Sequence, residues 1–457
     1  MGLAEAEITP PVGFPMAGYY HERLAEGTID PLKARAIVFR QGGQSAALVV
    51  CDLIGIATDL SREVRQRAAE STGIPADHIV LAATHSHTAP DYMKELWLTL
   101  GNEQQQPARA AYITSLIDRL VQTIAEASAA RVPVVLHSGI AVQETPVSFN
   151  RRFVMRDGTV KTWQNFSNPN VVRSAGPINP GINLLRVSDR SGKTRAVLSN
   201  FALHLDTVGG SRWSADYPFF IERTLQSTLG PEVMSIFGTG CCGDINHVNP
   251  NSTVRNTADV IGTSLGETIL GHLNELTLLP SSSLAVRSRT VRLPLQDATE
   301  AEVRHSTEVL AKARQGEKVD FLEHVTAYKK MILDQMRHEK PFAKTSEQIT
   351  WGMSRSLAGI GDSLPVNVTV IALGGDYAIV CLPGEVFVEL GMAIQQASPY
   401  QNTMVIELCN AVETIYVPHR AAYAGGSYEV TNSNLQPGGG EILVETALTL
   451  LRETASE

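Results

Sequence analysis

The chain has 457 residues, 43% of them hydrophobic, and a formal net charge of -9. That length exceeds the roughly 250–300 residues that one core usually serves, so one large unit or two closely fused lobes are expected. With no basic run longer than Arg151-Arg152 or Lys329-Lys330, a nucleic-acid partner is excluded and a small-molecule substrate is expected.

The amino terminus, Met1 to Thr9, carries acids and no basic segment followed by an apolar one, so no signal peptide is expected. No window of about 20 residues is apolar enough to span a bilayer, so no membrane insertion is expected either. The five cysteines, 51, 241, 242, 381 and 409, form no CxxC, which fits reduced, buried thiols in a cytoplasmic protein. The oligomeric state stays open, a homo-oligomer included.

In chain order, the Pro- and Gly-rich opening Ile8 to Tyr20 reads as an ordered loop. Ile29 to Phe39 and Ser45 to Asp52 read as two strands joined by a Gly-Gly turn, followed by a helix from about Thr58 to Glu70. The apolar run His78 to Ala83 is a buried strand, and at its carboxyl end stand two imidazoles one residue apart, His85 and His87. Such a pair is half a metal site; it also occurs on half-buried strands, where each ring only satisfies a hydrogen bond.

A helix from about Pro107 to Ala129 and a strand from Val132 to Ala141 continue the alternation expected of an α/β sheet. The stretch from about Asp157 to Gly181 lacks periodicity and is long enough to be suspected of function. The strand Thr194 to Leu203 ends at His204, Ser214 to Pro218 opens a helix, and the strand Val233 to Phe237 empties into Gly238-Thr-Gly240-Cys-Cys-Gly243-Asp244. Three glycines in six residues there bring the backbone close to something.

From about 297 to 345 the composition turns to charged helix formers, read as a peripheral helical insertion with His305, His324 and His338 on solvated faces. The strands Val366 to Leu373 and Tyr377 to Leu382 follow, joined by a hairpin turn. The second delivers Pro383-Gly384-Glu385 to a helix over 386–397. A last strand, Thr403 to Cys409, leads to Tyr416 and a loop with Tyr423 and Tyr428, and Glu441 to Glu453 forms a closing helix.

Potential ligands thus follow five apolar strands: His85 with His87, His204, Asp244, Glu385 and Tyr416. In an open α/β sheet the carboxyl ends of strands converge on one crevice, so these residues can meet. Two or three imidazoles with a carboxylate suit zinc and leave a position for water. On their own, Tyr416 and Tyr428 read equally well as packing aromatics, and His87 as a hydrogen-bonding support for Asp244. Asp206 and Asp216 read as a turn residue and a helix N-terminal residue.

The set Ile8-Thr9-Pro10-Pro11, Met16-Ala17-Gly18, Thr84-His85-Ser86-His87, Asn150-Arg151, Ala202-Leu203-His204, Gly243-Asp244, Pro383-Gly384-Glu385, and Tyr416 followed by Tyr428-Glu429 resembles the neutral/alkaline ceramidase family, in order, over residues 1 to about 435. The resemblance implies a zinc hydrolase domain with a mixed β-sheet core flanked by helices. It implies zinc held by His85, His204, Glu385 and Tyr416, with His87, Arg151 and Tyr428 lining the site. The family's Gly-Asp-Val-Ser-Pro-Asn segment carries a serine implicated in catalysis. Here it reads Gly243-Asp244-Ile245-Asn246-His247, so a serine nucleophile is excluded and Asn246 can only hydrogen-bond. One domain over 1–457 is expected, without the family's C-terminal β-sandwich.

The function expected is therefore zinc-dependent cleavage of an amide bond in a soluble small molecule. His87 is the candidate base or proton shuttle, Tyr428 and Arg151 the candidate oxyanion or substrate contacts, and Asp244 and Asn246 belong to the candidate catalytic set. Ester or lactone hydrolysis, true ceramidase activity and a non-catalytic metal-binding scaffold are the alternatives. A long apolar groove beside the metal would indicate a lipid, a short polar one a soluble metabolite.

Overall fold

A computed structural model describes residues 1–100, 107–280, 283–344 and 353–456. Its organising units are three sheets whose inner faces share one apolar core. In the first sheet the order is Gly2–Glu7, Lys33–Gln41, Gln44–Cys51, Ile79–Ala83, the last pair parallel and the others antiparallel. Side chains alternate across a strand. Ala36, Val38, Val49 and Cys51 therefore pack outward beneath helices α1 (Thr58–Thr72) and α3 (Pro107–Ala129), whereas Ile37, Phe39, Leu48 and Val50 point inward. Burial on both faces explains the unbroken apolar run in the sequence. Helix α2 (Met93–Leu100) lies between α1 and α3 in the chain.

The second sheet runs Met234–Thr239, Thr194–Phe201, Gly181–Ser188, Val135–Val142, Thr277–Leu278. It sends Leu185, Val187 and Leu198 to the shared core and Leu184 and Val197 to the side of helices α4 (Tyr217–Leu229) and α5 (Ala258–His272). The third runs Leu284–Pro294, Ser363–Leu373, Tyr377–Cys381, Asn402–Ile406 and contributes Ile371, Ile379 and Met404. The mixed α/β architecture agrees with the expected fold class.

The carboxyl ends of strands from all three sheets are stitched together. The Ala83 amide donates to the Leu408 carbonyl at 3.2 Å, Glu407 to Thr239 at 3.0 Å, and the Thr239 hydroxyl to Thr84 at 2.8 Å. The crevice expected from one open sheet is thus formed where three sheets meet.

Three further readings are corrected. The strand before His204 ends at Phe201, so the histidine stands in the loop beyond it. The tyrosine-rich loop contains two short helices, α9 (Ala422–Gly425) and α10 (Tyr428–Thr431). All but residue 345 of the 297–345 region is described; its helices α6 (Glu300–Arg314) and α7 (Phe321–Arg337) pack on each other and α7 reaches α10. Only His305 is exposed; His338 is half-buried against Asp334, and His324 faces Tyr20. Helix α8 (Val388–Ala397) follows Glu385, and α11 (Gly439–Ala455) closes the described chain.

Candidate metal centre

His85 takes a backbone conformation rare for a side chain with a Cβ, φ 77°. A non-glycine residue held there costs about 1–3 kcal/mol. Its amide donates to the Leu53 carbonyl at 2.9 Å, and its ring Nδ1 to the Ile54 carbonyl at 2.6 Å, which together hold the turn. The His204 Nδ1 donates to the Cys242 carbonyl at 3.1 Å, and the Tyr217 hydroxyl fixes the preceding Leu203 carbonyl at 2.7 Å.

Glu385 is set by Gly384, whose φ is 69° and where a Cβ would run into the Thr414 hydroxyl. Glu385 pairs in parallel with Tyr416, its amide donating to the Ile415 carbonyl at 2.8 Å.

A carbonyl can only accept, so a neutral imidazole that donates through Nδ1 bears a lone pair on Nε2. Burial, with Arg151 and His85 nearby, pushes His204 down to about 3, so it is neutral. The Nε2 atoms of His85 and His204 nevertheless lie 3.1 Å apart, and the buried Glu385 Oε2 lies 3.4 and 3.3 Å from them with no hydrogen bond of its own. One proton relieves one of these contacts; one cation relieves all three. Tetrahedral zinc with bonds of about 2.0–2.1 Å places its ligand atoms about 3.3 Å apart, which is the spacing here. The donor set fits the ion.

His85, His87 and His204 form a group able to hold a metal. The His87 Nε2 is 3.4 Å from that of His85, and no comparable contact joins His87 to Glu385 among the described residues. Its ring lies beside the cluster, against Gly18, where an added Cβ would meet the His87 Nδ1 at 2.9 Å. Burial and the neighbouring His85 keep His87 well below the usual imidazole range. Its carboxylate neighbour is Asp206, 3.7 Å from Nδ1 and held by the Tyr19 hydroxyl at 2.8 Å, and not the Asp244 of the alternative reading.

Asp244 accepts from the Val388 amide at 2.9 Å and from the Asn150 side chain at 2.7 Å, so both its oxygens tie the framework together, and it is corrected from catalytic candidate to support. Arg151 is likewise largely committed. Its Nε meets Glu429 at 2.7 Å, and its Nη2 donates to the Gly243 carbonyl at 2.8 Å and to the Tyr416 hydroxyl at 2.9 Å. The Tyr428 hydroxyl accepts from the Asn432 side chain at 3.4 Å, and its ring packs edge-on against that of Tyr416. Burial raises both Tyr416 and Tyr428, with Arg151 opposing. Asn246 lies in the same cavity wall as His204, its carbonyl oxygen accepting from the Val248 amide at 3.1 Å.

Two cavities meet at this cluster. One, of about 420 Å³, contains His85 and Glu385 and is edged by Met16, Met93 and Tyr328. The other, of about 700 Å³, contains His204, Asp206, Asn246, His247 and Arg255, with Trp163 and Phe321 at its side. Gly18 to His21, His87, Tyr416 and Tyr428 line both. Asp206 and His247 were not read as site residues, since a lone turn Asp and an isolated His carry no motif. The insertion helix α7 supplies Phe321, His324 and Tyr328 to the cavity walls.

No family of related sequences and no curated protein matches the chain. Solved structures do match, among them two ceramidases. Neutral ceramidase from Pseudomonas aeruginosa superposes with a TM-score of 0.70 over 99% of this chain and 74% of its own, at 18% identity. A ceramidase complexed with C2 gives 0.69 over 100% and 76%, also at 18% identity. The fold is that of neutral ceramidase. A ceramidase-like hydrolase fold therefore carries, at its strand ends, a histidine cluster able to hold a metal ion.

Proposed function

We propose that the protein is a zinc-dependent hydrolase that cleaves an amide bond of a soluble small molecule. The observation that carries the reading is the set of three potential ligand atoms, from His85, His204 and Glu385, at tetrahedral spacing in a buried pocket. Two imidazoles with a carboxylate are a donor set that zinc favours. Tyr416 is proposed as the fourth ligand, its hydroxyl supported by Arg151. Zinc, once bound, supplies polarisation of the scissile carbonyl and lowers the pKa of a water to about 7.

The chain's own groups do the rest. His87, neutral and one step from the ligands, accepts a proton through Nε2 and passes it to the departing nitrogen, with Asp206 beside its other nitrogen. The Tyr428 hydroxyl, half-buried and protonated, donates to oxygen as negative charge develops on the carbonyl. Aromatic rings from α7, α10 and Trp163 limit water at the cluster. Asn165, Asn246 and Asn249 in the wall of the larger cavity offer hydrogen bonds to a polar substrate, beside the rings of Phe153, Trp163 and Phe321.

The test is metal analysis of protein purified without added metal, followed by a panel of N-acyl amino acids, N-acyl sugars, lactones and long-chain ceramides. About one zinc per chain and cleavage of soluble amides, lost in His204→Ala, are expected. No zinc, or a His204→Ala variant indistinguishable from wild type, would overturn the proposal. Preference for lactones would move the activity to esters, and preference for ceramides would return it to lipids.

A further inference from the structure

The larger cavity holds two cationic or ionisable groups that the proposed chemistry does not use. His247 occupies the segment where the resembling family has its serine motif, and its side chain is 95% buried, at 5% exposure. Its Nδ1 has no hydrogen-bond partner, and no bond to Nε2 is present among the described residues. Nδ1 is sealed inside the wall, so Nε2 is the ring atom that a partner in the cavity can reach.

Arg255, itself exposed, lines the same cavity, and its charge and that of Asp206 both act on His247. No carboxylate pairs with this guanidinium among the described residues. Its loop is anchored: Phe166 donates to the Pro250 carbonyl at 3.0 Å, and Asn256 to Pro146 at 3.3 Å. Asp206 lines this cavity too and stands by His87. The cavity therefore offers a negative group beside the proposed proton shuttle and a positive one at Arg255.

We infer that this cavity receives the amine half of the substrate, and that Arg255 and His247 recognise a carboxylate carried on it. The inference rests on the hydrolase reading and names its substrate class: amides of amino acids. In the reaction a water oxygen joins the acyl carbon and the C–N bond breaks. Both protons of the water end on the nitrogen, the first through His87 and the second released as the acyl product ionises to its carboxylate, and the ammonium so formed faces Asp206 while its own carboxylate remains at Arg255. A planar guanidinium fits a carboxylate through two parallel hydrogen bonds, a geometry that neither lysine nor glutamine reproduces.

The experiment compares N-acetyl-glycine, N-acetyl-4-aminobutyrate and N-acetyl-6-aminohexanoate with their counterparts lacking the carboxylate, for wild type, Arg255→Gln, Arg255→Lys and His247→Asn. Binding is followed by calorimetry alongside hydrolysis. At least one acid is expected to exceed its neutral counterpart by about tenfold or more in kcat/KM, the size of one charge-assisted contact. Arg255→Gln should remove that preference through KM and leave the neutral amides unchanged, with Arg255→Lys restoring part of it. Equal cleavage of acids and neutral amides, or a preference that survives Arg255→Gln, overturns the inference and leaves the hydrolase reading standing. If no amide is cleaved but an acid binds wild type and binds Arg255→Gln at least about tenfold more weakly, the carboxylate site stands and the hydrolase reading falls. Absence of both cleavage and binding overturns the inference as well.

Discussion

Replacing His204 tests the metal centre without any knowledge of the substrate. Unfolding entropy is about 2.1 cal/mol/K per residue, or about 1 kcal/mol/K for 457 residues. Zinc free at about a thousand times its Kd stabilises the native state by about 4 kcal/mol and so raises the Tm by about 4 °C. His204→Ala removes one of three closely spaced ligand atoms. If affinity falls about a hundredfold, the same zinc concentration leaves about 1.4 kcal/mol, a rise of about 1.4 °C. Glu385→Gln separates coordination from packing. Its amide can donate to an imidazole lone pair where the carboxylate could only repel it, so the zinc-free variant should melt above zinc-free wild type while its response to zinc collapses. Differential scanning fluorimetry with chelator and with buffered zinc measures both effects. An undiminished rise in His204→Ala, or a zinc-free Glu385→Gln less stable than wild type, would refute the argument that these atoms await a cation.

Gly18→Ala should lower kcat at least about tenfold, a loss of the order expected when a catalytic group is misplaced, because its Cβ would lie 2.9 Å from the His87 ring and displace it; the zinc content should be unchanged. Tyr217→Phe deletes the hydrogen bond to the Leu203 carbonyl and should cost about 1 kcal/mol in urea unfolding, with weaker zinc binding because His204 is the next residue. Burial pushes the Asp30 carboxyl up to about 6 from an ordinary 3.8, so the native state holds a proton that the unfolded chain releases. Its stabilising contribution is then complete below the unfolded value and lost as pH rises through about 6. Asp30→Asn should accordingly flatten the fall in urea midpoint between pH 4 and pH 7.

The sequence was most legible where one physical signal acted alone. Helix α3 was read to its termini because its apolar face recurs at helical spacing after Pro107. The core strands were read because burial on both faces leaves continuous apolar runs. Helix α5 is weakly signalled because Gly262 and Gly266 interrupt its pattern; they lie where α4 comes so close that a Cβ would strike the Tyr217 carbonyl or the Thr224 side chain. The meeting of His85, His204 and Glu385 was anticipated from strand exits, but their arrival from three sheets was not, since strand order is decided by pairing partners far away in the chain. Asp206 was read as a turn residue because its relation to His87 exists only after Tyr19 folds over it.

The stitching of three strand ends also fixes an order of events during folding. His85 and Glu385 are 300 positions apart (385 minus 85), and each hangs from a different sheet. Closing so long a chain segment carries an entropic penalty that the ion cannot offset before the sheets have docked. Metal uptake should therefore be a late reporter of assembly, silent for any nascent or truncated chain that lacks the Tyr377–Cys381 strand.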